Sequence, residues 1–161
     1  MTPLLQVNDL KVDFDTDDGV VHAVDGVSLT VQPGQVLGVV GESGSGKSVT
    51  ALTLLGLTRS DQTHISGSAD FGGSDLVPMS EPDLRKVRGG DIAMIFQDPL
   101  SSLHPFFRIG DQLVEAYRVH HDVSKKQARA RAIEMLDLVG IPQANKRVDQ
   151  YTHEFSGGMR Q

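Results

Sequence analysis

Apolar and polar residues alternate along 4–14 and again along 20–31, two stretches rich in Val and Leu, with "DTDDG" between them carrying turn composition. That pattern predicts two antiparallel strands joined as a hairpin. The pattern then changes. "QVLGVVG" (35–41) is a continuous apolar run closed by glycine, which suits a strand buried on both faces in a parallel sheet. "SVTALTLLGL" (48–57) follows a glycine-rich loop and predicts a buried helix ending near Gly56. Short alternating pieces in "HISGSADFGGSDLV" predict a second hairpin. Ser80 opens "SEPDLRKVRGG", where a hydroxyl with a carboxylate three residues later resembles a capping box and paired glycines end a short helix. "DIAMIFQ" (91–97) reads as another buried strand.

From Asp111 onward the period is helical, first in "DQLVEAYRVHH" and then in "SKKQARARAIEMLDLVG". Ser124 and Gln127 form a second predicted capping box, and Ala132, Met135, Leu136 and Val139 predict one apolar stripe. The plan is β-rich, then α/β, then α. With 161 residues the chain has the length of one ordinary domain, though two subdomains sharing a core fit as well.

Composition narrows the classes. A hydrophobic share of 39% with 22% charged residues is globular, and no run approaches the roughly eighteen apolar residues that cross a bilayer. The N-terminus lacks the basic and apolar regions of a secretory signal, and zero cysteines exclude disulfides and thiolate metal sites. A net charge of −6 gives no general basic field for a nucleic-acid backbone.

The chemistry concentrates in "GESGSGKS" (41–48), which matches G-x-x-x-x-G-K-[ST] between a predicted strand and a predicted helix. In such a loop glycines turn backbone N–H groups inward around phosphate oxygens, and a helix N-terminus adds its donors and positive dipole end. Gly41, Glu42, Ser43, Gly44, Ser45, Gly46, Lys47, Ser48 and Val49 are therefore candidate nucleotide contacts. Lys47 is expected to reach the β- and γ-phosphates, and the Ser48 hydroxyl to meet the Mg²⁺ that accompanies a triphosphate. The loop alone does not separate a kinase, a GTPase or a motor.

Two later segments complete an ordered set: "IFQDPLSSLHP" (95–105) and "FSGGMRQ" (155–161). With the glycine loop they resemble the ATP-binding subunit of an ABC transporter, over essentially the whole chain. "GESGSGKSVTALTLLGL" and "FQDPLSSLHP" resemble its oligopeptide, dipeptide and nickel importer branch. The resemblance implies a P-loop NTPase core with an N-terminal antiparallel β subdomain and a helical subdomain. The core spans 1–100, and 101–161 form the helical part, ending in the signature motif. It implies that Gln97 contacts Mg²⁺ and helps place the attacking water, with Lys47 as the other catalytic residue. It implies further that Phe14 stacks on adenine and that Ser156, Gly157 and Gly158 bind the γ-phosphate held by a second subunit.

Partners follow from the same resemblance: a second ATP-binding subunit, identical or not, in a head-to-tail pair, then membrane permease subunits, and indirectly an extracytoplasmic solute-binding protein. The place it implies is the cytoplasmic face of the membrane. "DPLSSLHPFF" resembles the permease contact surface. The chain departs from the commonest pattern in having Phe155 for Leu, Met159 after the glycines, and Val49 where many members have Thr.

The family's general base, a Glu beside a Mg²⁺-binding Asp at the end of an apolar strand, and its later His are not found within 1–161. The expectation is a fragment that binds ATP·Mg weakly, turns it over negligibly and exposes apolar edges. A short non-catalytic nucleotide-binding module and another P-loop enzyme, such as a small-molecule kinase, are the alternatives. His120 and His121, about 100° apart on a helix, are expected to form a solvated helix end, as "DFDTDD" is a solvated turn. His153 is expected to help the entry to the signature helix.

Overall fold

The computed structural model describes residues 2–96 and 102–161. They fall into two compact units, 1–92 and 93–161. In the first unit β1 (Leu5–Thr16) and β2 (Gly19–Val31) form the predicted hairpin, closed by Asp17 and Asp18, with Thr16 paired to Gly19. β3 (Thr63–Phe71) pairs with the other edge of β1, and β4 (Ser74–Asp75) pairs with β3, so the antiparallel order is β2-β1-β3-β4. Gly72 and Gly73 have positive φ of 60° and 90°, the handedness a two-residue hairpin turn requires.

The apolar residues of β1 do not alternate cleanly: Val7, Leu10 and Val12 are buried, at a spacing of three and then two. A bulge reconciles them. The register shifts on both sides of Asp9, which takes φ 46° and donates its N–H to Ser28 Oγ at 2.9 Å. One extra residue there returns Leu10 to the core face. Val24, Ala69, Leu76 and Leu84 complete this core.

α1 (Lys47–Leu54) and α2 (Glu81–Val87) complete the unit. α1 is half-buried rather than enclosed, with Thr53 its one buried residue. At α2 the expected capping box does not form: Ser80 Oγ donates to the Asp83 carboxylate at 2.7 Å instead of accepting from the backbone. That short bond satisfies the acid and leaves the N-cap to backbone turns.

Neither apolar run read as a buried strand becomes one. Residues 35–41 lie outside the sheet, with Val36 and Val40 each 94% exposed, and Ile95 is 90% exposed. The reason is non-local. A parallel strand takes its hydrogen bonds from neighbours, and among the described residues no strand of the sheet pairs with either run. The beginning of 91–97 is held differently, by a bridge between Arg88 and Ile92 and by a bond from Gly89 N to Ile92 O.

The second unit is helical. α3 (Ile109–His120) packs on α4 (Lys125–Leu138) through Val114, Ala128 and Ala132. The Ser124–Gln127 box is present in full. The buried stripe of α4 runs Ala128, Ala132, Leu136, with Met135 half-buried. Val139, expected on it, is the C-cap residue and 72% exposed, because the helix ends before its next turn. α5 (Ala144–Arg147) and α6 (Gly157–Arg160) enclose a second cluster of Ile109, Leu136, Ile141, Val148 and Phe155. Asp149 accepts from Arg129 at 2.7 Å and lies 3.8 Å from Arg108. No described helix is long and apolar enough to cross a membrane.

Two predictions follow from these cores. Leu10→Ala removes a fully buried side chain beside the bulge and is expected to cost about 2–5 kcal/mol, read from chemical denaturation of the first unit. The hydrogen bond from Arg129, with the charges of Arg129 and Arg108, lowers the pKa of Asp149 against the opposing effect of desolvation. The ion pair therefore stabilises the folded state above the unfolded-state pKa of about 3.9, and that contribution is lost as pH falls through the lower folded value. Amide protection factors in α4, exchange rates taken relative to the unstructured rate at each pH, are expected to fall over that acid range in the parent chain and to fall less in Asp149→Asn.

Candidate functional site

The glycine loop runs from Gly41 into α1, whose first residue is Lys47. Gly44 and Gly46 both take φ 82°, a conformation that ordinary side chains disfavour. Gly46 does more than turn. A Cβ there would run into the backbone carbonyl of Ala23 on β2, so its bare Cα is what lets the loop seat against the sheet. Its carbonyl in turn accepts from Thr50 N at 2.8 Å and Thr50 Oγ1 at 2.9 Å, tying loop to helix. The first-turn N–H groups of α1 lack helical acceptors by construction, and no acidic side chain stands in that turn. Positive potential accumulates there.

Lys47 adds a full charge. Its Nζ donates to Gly41 O at 2.8 Å, Glu42 O at 2.6 Å and Ser45 Oγ at 3.1 Å. Among the described residues no carboxylate pairs with it. Glu42, Ser43 and Ser48 are exposed around the loop, and Val49 packs on the sheet core, which accounts for an apolar residue at that position. Gly41, Ser45 and Lys47 also line one end of an apolar groove of about 630 Å³ walled by Leu5, Val27, Leu29 and Leu37. The loop thus offers backbone donors, an ammonium without a counter-carboxylate and an exposed hydroxyl, the donor set a phosphate chain with Mg²⁺ needs.

Phe14 sits near the end of β1, paired with Val21 and Thr63, half-buried and packed against the sheet core. Gln97 lies outside the described residues, as do residues 98–101 of "DPLSSLHPFF". The rest of that segment is braced by Gln112. Its Oε1 accepts from His104 N at 2.9 Å, and its Nε2 donates to the carbonyls of His104 and Phe107, each at 3.0 Å. Phe106 is 81% exposed on that brace.

In the second unit Ser156 is the N-cap of α6, its Oγ accepting from Met159 N at 3.4 Å. Gly157 and Gly158 are exposed and have open space where a Cβ would stand. Phe155 is buried, under the Arg147 guanidinium at 5.9 Å, so the apolar departure serves as the anchor of this segment. His153 is exposed and stacks on Tyr151. His120 is also exposed, while the His121 ring lies 4.2 Å from that of Tyr117. No cluster of three or more His, Asp or Glu capable of holding a metal occurs among the described residues.

Two residues that the pattern did not single out fix the far end of α1. Arg88 Nε donates to Leu55 O at 2.6 Å while its two terminal nitrogens grip Glu81 at 2.7 and 3.1 Å, which lowers the Glu81 pKa. Arg59 donates to the carbonyls of Met79, Leu76 and Val77 at 2.6–2.8 Å. Gly56, at φ 65°, makes room for Leu84 and Arg88. Arginines that bind carbonyls leave no periodic signal in a sequence. Only the turn glycine beside them was a cue.

The fold is that of an ATP-binding cassette. The dimeric cassette MJ0796, solved in a post-hydrolysis state with ADP and Pi, superposes with a TM-score of 0.80 at 19% identity, over 97% of this chain and 65% of its own. cbiO1 from Clostridium perfringens, part of the ABC transporter complex cbiONQ, matches with a TM-score of 0.69 at 25% identity, over 99% of this chain and 58% of its own. The family model described as ABC transporter matches residues 24–161, and the chain belongs to that family.

Among its relatives is the oligopeptide transport ATP-binding protein OppD of Haemophilus influenzae, 50% identical over all of this chain and 50% of its own length. OppD of Escherichia coli (strain K12) is 49% identical over 98% of this chain and 47% of its own. The chain spans about half the length of the curated relatives it matches.

The loop contacts generate a paired prediction. Gly44→Ala meets open space and incurs only the left-handed backbone penalty, about 1–2 kcal/mol, whereas Gly46→Ala adds a collision with the Ala23 carbonyl. Thermal melts are expected to show the larger loss for Gly46→Ala, and equal losses would contradict the seating contact.

Proposed function

We propose that this chain belongs to the ATP-binding subunit of an importer that couples ATP binding and hydrolysis to uptake of peptides or a related small solute. The observation that carries the reading is Lys47: an ammonium with no described carboxylate partner, set in a loop of left-handed glycines at the mouth of α1. Relatives named as oligopeptide transport ATP-binding proteins support the peptide class.

In this reading the loop N–H groups and Lys47 hold the phosphates, Ser48 offers its hydroxyl to Mg²⁺, and Mg²⁺ neutralises phosphate charge when bound. Val49 contributes only its backbone N–H there. Gln97 is the further Mg²⁺ and water contact, and Phe14 the adenine platform from the rim of the sheet core. Ser156, Gly157 and Gly158 meet the nucleotide of a second subunit in a head-to-tail pair. Exposed glycines there allow the close backbone approach that such a contact needs. The subunit works at the cytoplasmic face of the membrane against permease subunits, and a solute-binding protein supplies cargo on the other side.

Catalysis by residues 1–161 alone is negligible in this account. Activation of water needs a proton acceptor within hydrogen-bond reach, and the Gln97 side chain is no base at neutral pH.

Calorimetric titration of the 161-residue chain with ATP·Mg tests the reading. Binding is expected, with Lys47→Ala weakening it by roughly tenfold or more, the scale of a lost charge-assisted contact. Phosphate release is expected to stay at background. Absence of binding would overturn the nucleotide reading, and sustained turnover abolished by Lys47→Ala would overturn the inactivity.

A further inference from the structure

A lysine ammonium has three N–H donors. In this loop all three are committed to the loop itself: the carbonyls of Gly41 and Glu42 and the hydroxyl of Ser45. Two of those acceptors are backbone atoms common to any sequence at 41 and 42. The third is a side chain.

Ser45 is placed for this by its own constraints. Its N–H donates to Glu42 O at 3.3 Å, the same carbonyl that Lys47 uses, so the two residues share one anchor. Its Oγ lies across the loop, so close to Gly41 that a Cβ there would come within 2.6 Å of it. The flanking Gly44 and Gly46 are both left-handed. Ser45 itself is exposed and packs into no core, so its side chain is free to change without disturbing the sheet.

We infer that Ser45 is a positioning residue that latches Lys47 onto the loop, and that an incoming phosphate chain must take at least one of the three ammonium donors away from it. The inference rests on the nucleotide reading for its ligand but not for its geometry. The Ser45 hydroxyl competes with phosphate oxygens for the same ammonium, so it sets how readily the loop opens to a triphosphate. Removing it leaves two carbonyl acceptors and one free donor.

The test reads Lys47 directly. Reductive methylation of the full 161-residue chain with ¹³C-formaldehyde, followed by peptide mass spectrometry, gives the modification rate of Lys47, with Lys47→Ala assigning the peptide. Ser45→Ala is expected to raise that rate about threefold and to tighten ATP·Mg and inorganic tripolyphosphate about threefold to fivefold, the scale of one exchanged hydrogen bond. Ser45→Thr, which keeps a hydroxyl, is expected to restore both values, and thermal melts of the three proteins are expected to coincide. An unchanged Lys47 rate in Ser45→Ala overturns the latch, as does weaker nucleotide binding by that variant. A raised rate in a chain whose parent form takes up neither ATP·Mg nor tripolyphosphate leaves the latch standing and overturns the nucleotide reading instead.

Discussion

The close approach of Gly46 to the Ala23 carbonyl is the contact on which the rest of the first unit's chemistry depends. A phosphate-binding loop is mostly glycine and hydroxyl, with almost no apolar surface to hold it in place. It must borrow rigidity. Here the lender is the antiparallel sheet, and the transaction requires a residue with no side chain, in the left-handed region, at the N-cap of α1. The bulge at Asp9 serves the same end one strand away, since it sets which face of β1 carries Val7, Leu10 and Val12, and so the surface on which β2 and the loop lie.

In the helical unit the organising constraint is different in kind. α3 begins where Gly110 presses on Val148: its N–H reaches Val148 O at 2.8 Å, and Ile109 N reaches Gln150 O at 2.9 Å. The helix start is thereby capped by a later segment rather than by its own side chain. That same segment leads through Tyr151 and a 3₁₀ turn to buried Phe155, so the exposed glycines of α6 are held on a packed stalk. Exposure of Gly157 and Gly158 is thus a positioned exposure, with burial on the residue just before them.

Much of this was legible in the sequence, and the parts that were not share a cause. Both hairpins, the glycine loop opening α1, and the Ser124–Gln127 box follow from local rules of turn and cap chemistry. The runs 35–41 and 91–97 carry the right composition for buried strands. Burial, however, is a property of neighbours, and composition cannot supply the hydrogen-bonding partner that a parallel strand lacks. Val139 failed for a smaller version of the same reason, since an apolar stripe holds only while the helix continues. The Ser80–Asp83 pair shows that two residues at the right spacing can satisfy one another and leave the backbone aside. At the site, the loop's residue types were visible but the bond from Lys47 to Ser45 was not, because a serine between glycines has no distinguishing pattern.

The anchoring of α1 has a mechanical consequence. The helix is a strut about 12 Å long at 1.5 Å per residue. One end bears on the sheet through Gly46 and Val49, and just beyond the other Arg88 clamps Leu55 O to Glu81 of α2. Arg59 ties down the same region by donating to the carbonyls of Leu76, Val77 and Met79. One hydrogen-bonded helix therefore connects the phosphate loop at its start to α2 just beyond its end.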